Sequence, residues 1–489
     1  MISLNSDETV VTALKGSIYF LILAWFSTGI NFVTNIILAR LLFPEDFGIS
    51  SISFTIIGIF SMFIGFGLGP GVIQSKREKN TLFSTFFFIE LITTTLITLL
   101  IFSLGGIFAN LFMDIRIKPV IQVLCIYIFL FGINSIPKTY LTKELEFKKI
   151  TLIESFSVII NLSFSVSLAL FGFGFWSLIY GPLMAIIFRS ICYWIFAPIL
   201  PKFSEFNLEI LKELLKFAFP ILFASIVIFW NTHIDDIVIA QVLGLTFLGL
   251  YSLSFKLSNY ITTLISHPIS RAMYPIYCKI QDDNTELKLN FENNYRMILT
   301  ITVFITFYML INAKFIISFI FGEKWLLSIP ILQILIFEGF LRSLASISGN
   351  VFQALNKYYW VVITSIIYFF LMTPLMIIAT INFGIIGTAL IVTITYTPIF
   401  FISYLLLRKY VKYNIIKDTI IRFLSVGVTI PPMLLIIYFF SDYTFLVLIL
   451  NLAIALAIYS LIVNYLTKGE FVREIKEIFN IFLKRQSSF

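Results

Sequence analysis

Charge is what this sequence has least of. Only 12% of its 489 residues are Asp, Glu, Lys or Arg, against 59% hydrophobic, whereas a soluble domain carries about 25% charged residues. A soluble fold of this length could not hide so much apolar surface; a bilayer can take it. Histidine is nearly absent, with two residues, and the three cysteines, Cys125, Cys192 and Cys278, stand far apart. No metal-ligand or disulfide spacing can be built from them. Each is expected to be a small, buried, inert side chain, and no metal is expected. No Walker sequence and no plausible triad occurs, so the chain offers catalysis and cofactors no foothold. The run GFGLGPG (Gly65–Gly71) superficially matches a dinucleotide loop. No strand precedes it and its spacing is wrong, so close helix packing and a flexible helix end are expected there. The net charge of +8 is spread between apolar runs. Nucleic-acid binding needs cations clustered on one face, which excludes that partner.

Long hydrophobic runs are what the chain does have. A membrane-spanning helix takes about 20 mostly apolar residues. Fourteen such spans are predicted, at 17–39, 47–73, 82–104, 119–137, 151–171, 175–197, 217–242, 246–275, 296–313, 326–352, 359–381, 384–407, 418–440 and 444–466. The first is too long for a signal-peptide core and has no small-residue cleavage site after it, so it is expected to remain. With the N-terminus in the cytoplasm, 24 of the 34 Lys and Arg residues fall on the cytoplasmic side, five fall opposite and five lie within spans. The excess of cations inside places both termini in the cytoplasm. The polar stretch 276–295 is read as the longest loop. The segment EFNLEILKELLKFAF (Glu205–Phe219) has leucines at helical spacing opposite Lys and Glu, which predicts an amphipathic helix on the cytoplasmic surface.

Shifted by 201 residues, ILARLLFPEDFGISSISF (Ile37–Phe54) lies over VIAQVLGLTFLGLYSLSF (Val238–Phe255), with six identities in eighteen positions. Gly48 over Gly249 is one of them. Phe173–Trp176 over Phe383–Ile386, at an offset of 210, is a weaker echo. Six spans separate the copies, so both have the same orientation, and a parallel repeat has its axis along the membrane normal. The expected fold is therefore all-α and polytopic, with about 14 transmembrane helices. Two six-helix bundles, 1–200 and 201–410, enclose a central cavity, and 411–489 adds two helices and a cytoplasmic tail.

Polar residues within spans mark function, because a charge at mid-membrane costs about 2.5–3.5 kcal/mol on insertion scales. Ser27, Asn31 and Asn35 recur every four residues and share a face of the first helix. The 201-residue shift sets Asn31 over Thr232 and Asn35 over Asp236, in the stretch FWNTHIDDIVIAQV (Phe229–Val242). Asp235 and Asp236 are neighbours, about 100° apart on a helix, so one can face a cavity while the other meets a partner or the interface. An ion-coupled transporter needs such a carboxylate, and Asp235, Asp236 and Glu338 are the candidates for coupling. Lys256, Asn259, Thr263, His267, Ser270 and Arg271 are predicted to share one sector of the eighth helix. Arg342 lies one turn after Glu338, so the two form either a self-neutralising pair or part of a site. Arg189 is expected to reach for the interface. His233 and His267 are expected to hydrogen-bond between helices rather than bind ligands.

LARLLFPEDFGISSISFTIIGIFSMFIGFGLGPGVIQSK resembles the opening of polysaccharide-exporting flippases of the multidrug/oligosaccharidyl-lipid/polysaccharide exporter superfamily. IDDIVIAQVLGLTFLGLYSLSFKL is similar to their seventh helix and the turn into the eighth. PISRAMYPIYCKIQDD, FIFGEKWLLSIPILQIL and GNVFQALNK extend the similarity through Lys357. The resemblance implies a Wzx-type flippase in a bacterial cytoplasmic membrane. It would carry undecaprenyl-pyrophosphate-linked oligosaccharide between leaflets, driven by protons or sodium and working as a monomer among membrane lipids. Lys256, Arg271 and Arg342 would meet the pyrophosphate, with Asn31, Asn35 and Asn259 lining the cavity. The family pattern has an acid at Asp235, whereas Asp236 and Gln241 stand where basic residues are common, so a less cationic cavity is implied. Two other readings compete: a multidrug or small-metabolite cation antiporter of the same superfamily, and a membrane polymerase or ligase. The last needs a long outer loop with acid or His residues, and none is present.

Overall fold

The computed structural model describes residues 6–440 and 445–469, and among them there is no strand. Sixteen α-helices follow one another among the described residues. They are α1 (Ser6–Leu41), α2 (Pro44–Ser61), α3 (Gly69–Gln74), α4 (Lys79–Leu111), α5 (Ile117–Lys143), α6 (Phe147–Leu170), α7 (Trp176–Phe196) and α8 (Leu208–Val242). The series continues with α9 (Leu245–Ile261), α10 (His267–Lys279), α11 (Asn284–Ile311), α12 (Ala313–Phe315), α13 (Ser328–Ala354), α14 (Tyr359–Leu407), α15 (Ile416–Phe439) and α16 (Phe445–Leu466). Ten of these are long and apolar enough to cross a membrane. Gly384 (φ 62°, ψ −152°) divides α14 into two legs, a conformation that glycine adopts without the Cβ penalty. The second and eighth predicted spans are each broken in two, as α2 with α3 and as α9 with α10. Each of the fourteen predicted spans thus has its counterpart in a helix or helix pair.

The helices group into two compact units. The first contains the described residues up to Ser252 with Thr373–Thr388, and the second contains Leu253–Met372 with the described residues from Ala389. In the first, α2 and α9 begin with a reciprocal contact. A Cβ on Gly48 would fall within contact distance of the Leu245 carbonyl oxygen, and one on Gly249 would meet that of Pro44. Gly48 and Gly249 are mates at the 201-residue offset, and so are Pro44 and Leu245. Equivalent positions of the sequence repeat thus meet each other in this contact.

Several expectations are corrected. The amphipathic segment is not a separate surface helix: it is the first leg of α8, continuous through Pro220. Its apolar residues Ile210, Leu214 and Ala218 pack with Val72, Leu82, Phe86 and Ile136 instead of facing lipid. The Asn207 side chain accepts from Glu209 N and Ile210 N at 2.8 and 3.2 Å, capping the helix. The long polar loop also shrinks. The Asp283 carboxylate caps α11 through Thr285 N (2.8 Å) and Glu286 N (3.0 Å), so most of that stretch is helical. GFGLGPG forms a 3₁₀ turn, Ile64–Gly67, leading into α3.

In the second unit, tyrosines join α11, α13, α14 and α16. Tyr404 donates to Leu344 O (2.9 Å), Tyr308 to Leu448 O (3.0 Å) and Tyr459 to Thr300 O (2.9 Å). Each buried hydroxyl meets a helix carbonyl, which spares it the cost of burial without a partner.

Candidate functional site

Two polar constellations stand out, one in each unit. In the first unit, Asp235 is only 4% exposed. Its Oδ2 accepts from the Tyr251 hydroxyl at 2.8 Å, and its Oδ1 accepts from the Asp236 backbone N–H at 3.0 Å. The Asp236 Oδ2 accepts from Thr55 Oγ1 at 2.9 Å and lies 3.2 Å from His233 Nδ1. The two carboxylates point to different neighbours, Asp235 toward α9 and Asp236 toward α2, as their angular separation on α8 requires. The His233 ring lies tilted against that of Phe229, 4.4 Å between centroids, and Phe229 packs against Gly58. His233 thus holds a hydrogen-bonding position among helices. On α1, Asn31 and Asn35 are half-buried, and the Asn35 amide donates to Asn31 O at 2.8 Å.

In the second unit, Glu338 and Arg342 are hydrogen-bonded across one turn of α13. The acid side chain is 1% exposed and the arginine side chain 18%. Phe255 and Tyr396 flank the guanidinium, with ring centroids 5.4 and 5.7 Å away, and cations favour the faces of such rings. Lys256 and Arg271 are exposed and Asn259 is half-buried. Arg271 and Arg342 both act electrostatically on His267, so these three form one basic neighbourhood.

The predicted sector of the eighth span does not survive intact. Residues Thr262–Ser266 are π-helical, and the wider turn breaks the 3.6-residue register. Ser270 is buried and bonds to Ser346 at 3.1 Å. Ser266 pairs with Ser343 and lies within 2.5 Å of it, and Thr262 donates to Gly339 O at 3.1 Å. Ser270 therefore belongs to a hydroxyl seam against α13. A π turn inside an α-helix is frequent at functional sites. Arg189 pairs with Glu154 at 3.2 Å, and Glu154 also bonds Lys138 at 2.8 Å and Tyr193 at 2.7 Å.

Two acids within predicted spans escaped the sequence reading, Glu154 beside Arg189 and Glu90. Glu90 on α4 is 3% exposed and accepts from Ser135 Oγ at 2.6 Å. Its signal was of the same kind as that of Asp235, a lone carboxylate within the apolar run FFFIELITTT.

With this geometry in hand, known proteins give it a context. Residues 37–330, more than half of the chain, match the family described as polysaccharide biosynthesis protein. An uncharacterized membrane protein in the cps region of Klebsiella pneumoniae is 26% identical over 456 residues, covering 92% of this chain and 94% of that protein. Lipopolysaccharide biosynthesis protein WzxC of Escherichia coli (strain K12) is 27% identical over 336 residues, covering 67% and 66%. Among solved structures, the lipid II flippase MurJ in an inward closed conformation aligns with a TM-score of 0.76 and 19% identity, covering 92% of this chain and 99% of that one. An inward-facing multidrug resistance MATE family transporter of the MOP superfamily aligns with a TM-score of 0.64 and 16% identity, covering 80% and 97%. The polytopic fold expected from the sequence is thus shared with solved transporters of that superfamily. This chain is a multi-pass membrane protein, and it belongs to the polysaccharide biosynthesis protein family.

Proposed function

We propose that the protein is a flippase carrying undecaprenyl-pyrophosphate-linked oligosaccharide across the bacterial cytoplasmic membrane by alternating access, for cell-surface polysaccharide synthesis. One observation carries this reading. A chain of a polysaccharide-biosynthesis family, with the fold of a lipid II flippase, carries Lys256, Arg271 and Arg342 on α9, α10 and α13. Lys and Arg supply charge and hydrogen-bond donors together, as phosphate requires. Asn31, Asn35 and Asn259 would meet the glycan. The antiporter reading rests on the shared MATE fold, but a cationic drug gains nothing from three cations. Deletion of the gene should accumulate a lipid-linked intermediate on the cytoplasmic side. Gln at both Lys256 and Arg271 should cut export by at least about tenfold, a loss of ~1.4 kcal/mol, with membrane insertion unchanged. Full export by that double variant would remove both residues from the site.

Both termini belong in the cytoplasm in this reading, together with the loop around Lys412. Single-cysteine labelling in a cysteine-free background should leave Lys412→Cys unlabelled from outside and label Thr246→Cys, both positions being exposed. The reverse pattern would invert the topology.

Asp235 and Asp236 are assigned to ion coupling, with protons or sodium as the driving ion. Their separate partners supply the reason for two acids: Asp236 ties α8 to α2, and Asp235 ties it to α9. Asn at either position should uncouple export from the imposed gradient. Gradient-dependent export retained by both single variants and by the pair would make these carboxylates structural.

A further inference from the structure

Arg342 faces two claims on one charge. Its guanidinium bonds Glu338, yet it keeps 18% of its side-chain surface open while the carboxylate keeps 1%. Arg342 is the cation hydrogen-bonded to Glu338, one turn away on the same helix. The groups facing the pair from its neighbours are His267 and Arg271 on α10, Tyr368 and Tyr396 on α14, and the Phe255 ring on α9. None of these can replace Arg342 as an ion partner in contact with the acid. The tyrosines are neutral, and Arg271, like Arg342, acts on the His267 ring. An anion that reaches Arg342 would bond its guanidinium in the forked geometry that Arg offers phosphate, and would displace the carboxylate.

We propose that Arg342 exchanges partners during transport: a phosphate or pyrophosphate group takes the guanidinium, and Glu338 takes up one proton. This deepens the flippase reading and rests on it for the anion. A carboxylate buried in low dielectric and stripped of its cation is far costlier than one neutralised by a proton from water. The balance is simple. The Glu338 carboxylate and a solvent proton give the carboxylic acid, no covalent bond of the substrate changes, and Arg342 stays charged. When the anion leaves, Arg342 returns to Glu338 and the proton is released. Anion binding and proton binding are thereby linked one to one at a single turn of α13. The aromatic rings beside Arg342 support the exchange, because they hold the guanidinium in place while its partner changes.

The test is calorimetric titration of the purified full-length protein with inorganic pyrophosphate, at one pH in two buffers of different ionisation enthalpy. The wild type should take up about one more proton per bound pyrophosphate than Glu338→Gln, which removes the titrating group. Glu338→Gln should also bind about tenfold more tightly, worth ~1.4 kcal/mol, because the competing carboxylate is gone. Arg342→Gln should lose binding. Equal proton counts in wild type and Glu338→Gln, with binding intact, would overturn the exchange while leaving the flippase reading in place. Absence of pyrophosphate binding to both proteins would remove the anion site at Arg342, and the proposal with it. Should Glu338→Gln fail to fold, the charge-free pair Glu338→Leu with Arg342→Met serves instead. It must lose binding and proton uptake together, and proton-linked binding in that protein would overturn the exchange.

Discussion

Alanine at Gly48 or at Gly249 is expected to reduce export by at least about tenfold, although a single methyl group is added. At both positions the nearest atom to the new Cβ is a backbone carbonyl oxygen, that of Leu245 or of Pro44. A flexible side chain could swing aside, but a helix end cannot. Overpacking of a tight contact costs about 1–3 kcal/mol, and ~1.4 kcal/mol is already tenfold in an equilibrium. In the proposed topology both helix ends lie at the outer surface, so the contact holds α2 and α9 together there. Loosening it would favour whichever state of the cycle separates them. The reciprocity makes a sharper prediction than the loss itself. Either alanine alone pushes the same two helix ends apart, so the second should add little, and the double variant should export about as well as the worse single one. Neighbouring sites that share one contact are expected to be non-additive in this way. Export would be measured against the amount of protein in the membrane. Normal export by either single variant would show that the two helix ends tolerate separation.

The fold was legible in the sequence because spans are written in length and hydropathy, and few soluble features compete with them. Even the two legs of α14 were readable, since Phe383–Ile386 breaks the run where Gly384 turns the chain. Breaks inside spans were not. The π turn at Thr262–Ser266 leaves hydropathy unchanged, and what accompanies it is the bonding of Thr262 and Ser266 to α13, a tertiary fact. The first leg of α8 was misread for a related reason. Leucines opposite charges describe equally a helix lying on lipid and one packed on protein, and only the partners Val72, Leu82 and Phe86 decide between them.

The polar residues divide along the same line. That Asp235 and Asp236 must part company followed from the angle between neighbours on a helix. Which partner each would find did not, because Tyr251 and Thr55 reach them from other helices. The sequence distinguishes a charge within a span from one at its edge, but it carries no sign of whether a second helix supplies a counter-ion. Arg189 illustrates the difference. It lies within a span as Arg342 does, yet Glu154, 35 positions earlier, holds it.

Arg422 is the strongest structural case among the cations inside spans, and its removal from Asp418 should be the most destabilising change in the second unit. The Arg422 side chain is fully buried. Its Nη1 donates to Asp418 Oδ1 at 2.9 Å, one turn back on α15, and its Nε donates to Thr300 Oγ1 of α11 at 2.9 Å. Arg296 of α11 lies 4.0 Å from the same carboxylate. Asp418→Ala would leave a buried guanidinium without its anion, and breaking such a pair costs about 3–5 kcal/mol. Replacing both charges by apolar residues of similar volume is often neutral or stabilising. Asp418→Leu with Arg422→Met should therefore recover most of the stability lost by Asp418→Ala, and export should recover with it. The recovery separates a structural cation from one that binds substrate. If Arg422 met the lipid-linked anion, the apolar pair would restore the fold and leave export lost. Unfolding of the purified protein would measure the first quantity, and export at equal membrane abundance the second. A double variant as unstable as Asp418→Ala would show that Arg422 does more for α11 and α15 than pair with Asp418.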